Sequence, residues 1–390
     1  MRIIKKIIGL LYVVISLAIY GKNFVLDIIK TKKELTKYKE EKLNSTFDLD
    51  ITNKLIDCIE EIRAKIKIPS IQFSLEMRNG GSFNYSSGNA NVENSELVNL
   101  NSLYYLGSIT KTYTYAVILK LEQDGIISLN DKVENYINIS PVGKGVTIKH
   151  LLNHSSGLYD PLISKYPLFQ TYYFGKKWSY DKIIKSIKKN KPYFEPGKGR
   201  MYSNTGYILL GMIAEIATGK SFFTLLKELF LNPFELKNTF YTYEEKVSNS
   251  LTTGYDKADY RIGKLGLVAN VEKFPVILEK TSLTSGGLVA NSQDVCEFLY
   301  KLFESDVLTQ EYKRKMRLAF DTLGVCNYRM RSRQGFIIGY KNFSGYIDSE
   351  KVYIVALSNL SYIPENDQVV YEGLIEKILN ILVSYDLMKN

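Results

Sequence analysis

The two ends of this chain carry strand-and-helix patterns, and a long middle separates them. Residues 51–66 place apolar side chains at helical spacing, and residues 71–86 are typical of a hairpin with a glycine-rich turn. Residues 351–359 predict a strong strand and residues 369–385 a closing helix. Because residues 108–235 are predicted to be mostly helical, we expect an α+β fold. It would be an antiparallel sheet flanked by N- and C-terminal helices, with an inserted, mainly α-helical lobe.

The first 47 residues differ in composition from the rest of the chain. Basic residues at the extreme N-terminus precede an apolar run at 7–20, which is the arrangement of an export signal. We predict that residues 1–22 are an uncleaved membrane anchor with the remaining chain outside the cytoplasm. The alternative is a cleaved signal peptide and a secreted protein. Residues 23–47, rich in Lys and Glu, predict a solvated helical stalk before a globular domain at 48–385.

Charge and cysteine content exclude several classes of function. The net charge of +10 suits nucleic acid, an anionic membrane or an acidic polymer, but no basic stripe with interleaved aromatic residues is present. We therefore expect no nucleic-acid partner. Cys58, Cys296 and Cys326 lack metal-ligand or disulfide spacing and are predicted to be buried. His150 and His154 lack a suitably spaced acidic partner, so neither a metal nor another cofactor is expected.

The shortage of histidine also limits serine chemistry. Two histidines in one short segment argue against a Ser-His-Asp triad, so a reactive serine would need another base. Ser108 and Lys111 begin a helical stretch one turn apart and therefore share a face. The helix N-terminus at Ser108 favours developing negative charge. The alternative is an N-capping serine beside an exposed lysine, and Ser-x-x-Lys recurs at 179–182 and 186–189 in predicted solvated helices.

Four stretches, in one order, resemble the penicillin-binding-protein-like serine hydrolases. This family includes class C β-lactamases, D-alanyl-D-alanine carboxypeptidases, D-aminopeptidases and related esterases. The stretches are 105–112, 121–131, 147–158 and 196–207. The similarity covers roughly residues 48–385 and implies a β-lactamase/transpeptidase-like fold.

The resemblance implies a role at each matching position. Ser108 would be the acylated nucleophile, and Lys111 would share or remove its proton. Tyr202 would be the second base or proton shuttle, and Asn204 would position the substrate amide or carbonyl. The backbone N–H of Ser108 would supply half of the oxyanion hole. The stretch around His154 is structural in the family.

The family also carries Lys-Thr-Gly or His-x-Gly on a strand beside the nucleophile. Counting back from the final strand places this element at 333–335, where Arg333 replaces Lys or His. Arginine keeps the positive charge that would bias the tyrosine and hold an anionic substrate, but it donates no proton at working pH. Gly335 is expected to let the substrate approach the strand, and the Phe336 N–H to complete the oxyanion hole. An exposed arginine on an edge strand is the alternative, and a rival register at 340–342 lacks the glycine.

Together, these features predict a serine hydrolase that works through an acyl-enzyme without a cofactor. The resemblance and the basic charge favour D-amino-acid peptides or esters of the cell envelope as substrates. Two alternatives stay open: a non-catalytic or slow-turnover penicillin-binding or sensor module, and a β-lactamase. A small-residue turn at 285–288 is assigned a scaffolding role only. The oligomeric state stays open.

Overall fold

The computed structural model places most of the chain. The residues it describes are 41–164, 179–245, 247, 250–256, 269–270, 282–361 and 367–388. The predicted anchor at 1–22 and the stalk up to residue 40 lie outside the described residues.

The strands and helices follow one another along the chain as follows. The strands are β1 (Leu43–Ser45), β2 (Ser70–Met77), β3 (Ser82–Asn91), β4 (Glu96–Leu97), β5 (Tyr104–Tyr105), β6 (Thr239–Tyr241), β7 (Tyr255–Asp256), β8 (Ala269–Asn270), β9 (Leu288–Ala290), β10 (Asp321–Val325), β11 (Tyr328–Ile337), β12 (Tyr340–Ile347) and β13 (Val352–Ser358). The helices are α1 (Leu49–Ile66), α2 (Thr110–Gln123), α3 (Ile148–Leu152), α4 (Pro161–Ser164), α5 (Tyr180–Lys189), α6 (Asn204–Thr218), α7 (Phe222–Leu226), α8 (Ser292–Glu304), α9 (Gln310–Met316) and α10 (Asp367–Ser384).

One large antiparallel sheet forms the frame. Its strands run in the order β1-β3-β2-β13-β12-β11-β10, and β4 pairs with β3 at one edge. Strand β2, near the start of the chain, therefore pairs with β13, the last strand. The helical segments between them in sequence are inserted between these two parts of the sheet. This arrangement confirms the predicted α+β fold, in which the helical lobe is inserted between the two halves of the sheet.

Two hydrophobic cores lie on opposite faces of the sheet. On one face, α1 and α10 pack through Ile59 and Ile378 against strand residues such as Phe73. On the other face, the helical lobe packs through α2, α6 and α8, with Val117 and Leu209 among its buried residues. The alternating pattern of β2 predicted only a half-buried strand. The structure buries most of it, because both faces of the sheet are covered by helices.

Two sequence predictions need correction. Residues 43–45 were expected in a solvated helical stalk, but they form β1 at the sheet edge, where Leu43 packs partly against the core. Cys326 was expected to be buried, but it is exposed, because it lies in the tight turn between β10 and β11 with a φ of 52°. Cys58 and Cys296 are buried, as predicted.

Among the described residues, no single helix has both the length and the hydropathy to cross a membrane. The helical segments Asn204–Thr218 and Phe222–Leu231 reach those values only as a pair, which is bent by 82°.

Strand β11 passes very close to the turn that precedes α2. A Cβ added to Gly335 would lie 2.0 Å from the Leu106 carbonyl oxygen, and one added to Gly107 would lie 2.6 Å from that of Phe336. Both positions therefore require glycine. The backbone that approaches Gly335 is the protein's own, whereas we expected the substrate to approach there. The glycine sets the distance between the strand and the Ser108 turn instead.

Replacing Gly335 with alanine is expected to destabilise the fold. The added methyl group would displace backbone rather than a flexible side chain, so we expect unfolding to become easier by about 1–3 kcal/mol. Gly324→Ala on β10 is the matched control, because nothing lies within 4 Å of its added Cβ. Its effect should stay within about 0.5 kcal/mol. Urea denaturation measures both, and equal stabilities of the two variants would contradict the close approach.

Candidate active site

The Ser108 side chain lies at the entrance to α2. A 3₁₀ turn, Gly107–Ile109, runs directly into the helix at Thr110, and Gly107 takes a φ of 54°. This turn places Ser108 half-buried at the helix N-terminus and Lys111 within the first helical turn. The structure therefore brings together the first pair of predicted site residues as the spacing indicated.

Lys111 is completely buried and contacts three oxygen atoms. Its Nζ lies 2.8 Å from Asn204 Oδ1, 2.7 Å from the Ser285 carbonyl oxygen and 3.2 Å from Ser108 Oγ. The first two oxygens can only accept, so they use two N–H groups of the amine. The third direction faces the serine hydroxyl, which can donate as well as accept. A neutral Lys111 could therefore turn its lone pair toward Ser108.

The electrostatics favour this neutral form. Burial lowers the pKa of Lys111 from its ordinary value, because the protein interior solvates an ammonium poorly. Tyr202 opposes this effect and raises the pKa of Lys111 through its charge and a hydrogen bond, whereas the positive charge of Arg333 lowers it. The net shift is downward, which increases the fraction of amine that can take a proton.

Tyr202 also approaches Ser108. Its phenol oxygen is 2.6 Å from Ser108 Oγ, and its ring is 39% exposed in the cleft. The ring centroid lies 4.8 Å from Lys111 Nζ. Ser108 Oγ is therefore within hydrogen-bond distance of both an amine and a phenol, and the structure unites all three residues predicted to be catalytic.

His154 supports the tyrosine and is not placed to act as a base. Its ring packs on Tyr202 with centroids 4.8 Å apart, and its Nδ1 accepts the Ser203 N–H at 3.1 Å. Burial, followed by the charge of Lys111, lowers the pKa of His154 to about 3. The imidazole is thus neutral at working pH and holds the 202–204 segment in place, which agrees with the structural role predicted for it.

Asp160 is a functional residue that the sequence analysis missed. It is fully buried, and its Oδ2 accepts the backbone N–H groups of Asn204 at 2.5 Å and Thr205 at 3.1 Å. This carboxylate therefore satisfies the N-terminal turn of α6 and fixes Asn204 beside Lys111. It precedes Asn204 by 44 residues, and its immediate neighbours carry no motif that indicates this contact.

Arg333 lies in the wall of the cleft, on β11, one strand in from the sheet edge. Its side chain is only 7% exposed, so the alternative of an exposed edge arginine is wrong. One guanidinium nitrogen, Nη2, donates to the Ala319 carbonyl. The register at 333–335 places the third element beside the Ser108 turn, whereas the rival residues 340–342 lie one strand further away, on β12.

Three of the four predicted substrate-binding residues, Asn204, Arg333 and Phe336, face a common cleft of about 630 Å³. It is lined by Ser108, Tyr202, Asn204, Ser285, Arg333 and Phe336, among others. Phe336 is 40% exposed there, whereas Gly335 is buried against the Leu106 carbonyl. Ser285, predicted to be scaffolding only, contributes its carbonyl to Lys111. Among the described residues, no group of three His, Cys, Asp or Glu side chains could hold a metal ion.

The sheet with its inserted helical lobe, and the Ser-x-x-Lys and Tyr-x-Asn residues meeting in one cleft, define a β-lactamase-like protein. The model of the Beta-lactamase family matches residues 55–369. The chain belongs to this family of penicillin-binding-protein-like serine hydrolases.

Individual relatives match parts of the chain. It is 36% identical over 165 residues to penicillin-binding protein 4* of Bacillus subtilis (strain 168), covering 40% of this chain and 34% of that protein. It is 27% identical over 213 residues to protein flp of Staphylococcus aureus (strain MW2), covering 53% and 42%. The chain thus spans well under half the length of these relatives.

Solved structures share the fold over most of its length. D-amino acid amidase from Ochrobactrum anthropi SV3, complexed with L-phenylalanine amide, superposes with a TM-score of 0.76 at 21% identity. The superposition covers 86% of this chain and 99% of the amidase. At this identity, the likeness shows the fold alone.

The buried neutral His154 should make stability fall in acid. Its pKa is near 6.5 when unfolded and about 3 when folded. The unfolded chain therefore binds the extra proton first as the pH falls. The contribution of neutral His154 to the free energy of unfolding is complete above pH 6.5. It declines toward pH 3 by about 1.4 kcal/mol per pH unit.

The comparison of two histidine variants isolates this effect. His154→Gln should show a shallower loss of unfolding free energy between pH 7 and 5 than the wild type, measured by urea denaturation. His150→Gln is the control, because that more exposed histidine lies outside the cleft. Parallel pH profiles for His154→Gln and wild type would contradict a neutral buried imidazole.

Proposed function

We propose that this chain is an exported serine hydrolase that forms an acyl-enzyme on Ser108 and passes the acyl group to water or an amine. The observation that carries the proposal is the position of Ser108 Oγ, 3.2 Å from Lys111 Nζ and 2.6 Å from the Tyr202 phenol. A serine hydroxyl is a weak nucleophile unless an adjacent base takes its proton. Here an amine and a phenol stand where that base is needed.

Acylation begins with proton transfer. Neutral Lys111 accepts the hydroxyl proton as Ser108 Oγ attacks the substrate carbonyl carbon. The resulting oxyanion is stabilised by the backbone N–H groups of Ser108 and Phe336 and by the N-terminus of the α2 helix. As the tetrahedral intermediate collapses, a proton passes through Tyr202 to the leaving group. An attacking water then releases the acyl group by the reverse series of proton transfers.

We propose esters or amides of D-amino acids as the substrates. The fold neighbour named as a D-amino acid amidase supports this substrate class. Arg333 can hold an anionic group on the substrate but cannot donate a proton, so a leaving group that needs little protonation suits the site. An alcohol leaving from an ester needs less than an amine leaving from an amide, which favours an ester of the cell envelope.

Two alternative functions follow from the same residues. The Ala319 carbonyl already engages Arg333, which supports a slow-turnover penicillin-binding or sensor module. The family match also supports a β-lactamase. The cellular location is part of the proposal. An N-terminal anchor at 1–22, predicted from sequence, would hold the catalytic domain outside the cytoplasm, next to substrates of the envelope.

Labelling with a fluorescent penicillin or a fluorophosphonate tests the nucleophile. The wild type should gain the mass of one acyl or phosphonyl group on Ser108, and Ser108→Ala should gain none, as read by intact mass. Ser179→Ala is the matched control, since it alters another Ser-x-x-Lys serine at the start of α5, and it should label normally. Labelling of neither wild type nor control would contradict the proposal.

The same assay tests Lys111 as the base. Because burial lowers its pKa, the acylation rate should rise with pH along a limb that lies below an ordinary lysine pKa. Lys111→Arg carries a permanent positive charge and cannot accept the proton of Ser108. This variant should acylate about 10²–10⁴-fold more slowly. An unchanged rate in Lys111→Arg would exclude the lysine as base.

The identity of residue 333 tests the choice between hydrolase and sensor. In a slow-turnover module, Arg333→His or Arg333→Lys should speed deacylation, because these side chains can donate a proton. In an ester hydrolase, both variants should leave deacylation of a D-alanyl ester within a few-fold of wild type. Arg331→Lys, two residues earlier on β11, is the control.

Turnover of nitrocefin, compared with turnover of D-alanyl esters and D-Ala-D-Ala peptides, identifies a β-lactamase.

A further inference from the structure

Positive charge is concentrated on one part of the helical lobe. Helix α5 and the loop after it, residues 179–200, carry seven basic and two acidic residues. The net charge of this segment is +5, half of the chain's +10. The basic residues are Lys182, Lys185, Lys188, Lys189, Lys191, Lys198 and Arg200, all exposed. We call this set the basic face.

Few members of the basic face are neutralised by ion pairs. Several exposed lysines elsewhere form ion pairs such as Lys220–Glu228 at 2.5 Å and Lys377–Glu61 at 2.6 Å, whereas others, such as Lys144 and Lys237, form none with a described residue. Apart from Lys182, no member of the basic face forms an ion pair with any described residue. Like charges at helical spacing repel one another, so this cluster weakens its own helix. An anionic partner would remove that repulsion.

The opposite side of α5 is already occupied. Ile183 and Ile187 are fully buried in the helical lobe, so the helix has no apolar side to offer a bilayer. Peripheral helices that bind membranes insert such an apolar side. Charge alone is available for binding, and an extended row of cations is complementary to a linear polyanion.

The loop after α5 leads from the basic face to the catalytic residues. The Tyr193 N–H bonds to the Gly157 carbonyl at 2.7 Å, and the Gly197 N–H to the Ser155 carbonyl at 2.9 Å. The Met201 N–H bonds to the His154 carbonyl at 2.9 Å, one residue before Tyr202. The basic face is therefore fixed relative to Tyr202, which carries a proton to the leaving group in the proposed reaction.

From these observations, we infer that the basic face binds a linear polyanion with repeating phosphate groups and guides acyl esters carried on it to Ser108. This inference rests on the proposed function for its catalytic part, whereas binding of the polyanion does not depend on it. The experiment therefore measures binding in a chain that cannot turn over substrate.

The binding test uses the full chain carrying Ser108→Ala and long-chain polyphosphate with a fluorescent label. Lys185, Lys188 and Lys189 are replaced together by Gln in one variant. The control replaces the exposed lysines Lys144, Lys149 and Lys237 by Gln, which removes the same charge elsewhere. The first triple variant should bind more weakly, and its slope of log affinity against log salt should be smaller by about 2–3. The control should keep the parent slope. Equal losses in both triples would overturn the inference.

Two further arms separate the other outcomes. In the first arm, vesicles with and without anionic lipid replace polyphosphate. If the three lysines affect binding to anionic vesicles but not to polyphosphate, the partner is a bilayer and the inferred polymer is wrong.

The second arm uses the active chain. The variant that lacks Lys185, Lys188 and Lys189 should have a raised KM for a D-alanyl ester carried on a phosphodiester polymer. It should hydrolyse the D-alanyl ester of free glycerol at an unchanged rate. If neither ester is hydrolysed, the proposed function fails, while a difference in binding still supports the basic face. If both triples hydrolyse both esters alike, the inference alone fails.

Discussion

The three hydrogen-bond partners of the buried Lys111 amine are all uncharged oxygen atoms. Burial disfavours a charged ammonium that has no carboxylate partner, and the net effect of the surroundings is to lower the pKa of Lys111. Asn204 and Ser285 orient that amine by accepting two of its hydrogens. In the proposed mechanism, the same burial that would make a lysine a poor structural choice makes it a base, and the reactivity of Ser108 depends on this.

This constraint explains why distant parts of the chain converge at one point. Ser108 and Lys111 come from the start of α2, Asn204 from the start of α6, and Ser285 from a 3₁₀ turn late in the sequence. Each contributor is held by something rigid. The buried Asp160 fixes the start of α6. Strand β11 lies against the turn before α2, a close approach that Gly335 on the strand and Gly107 in the turn allow. The inserted helical lobe thus carries Lys111 and its hydrogen-bond partners to the sheet, beside the cleft that β11 lines.

The sequence predicted the parts of this arrangement that have local patterns. The helices and strands at both ends follow their apolar spacing. Ser108, Lys111, Tyr202 and Asn204 lie in motifs whose order resembles one family, and the structure places all four together. Other features depended on long-range packing. Asp160 acts across 44 residues, the Ser285 carbonyl belongs to the backbone, and Gly335 is needed because of Leu106, which no local pattern reveals. Residues 43–45 looked like stalk because their pairing strand comes 40 residues later.

Arginine at position 333 changes how the site responds to pH. A lysine or histidine there could lose its proton in the same range as Lys111, and the two titrations would be coupled. A guanidinium keeps its charge throughout, so its effect on Lys111 stays constant. The Ala319 carbonyl also fixes its position. In the proposed mechanism, Lys111 then sets the acid limb of acylation in the constant positive field of Arg333. The same arginine cannot serve as a second proton donor, which is why that mechanism assigns protonation of the leaving group to Tyr202.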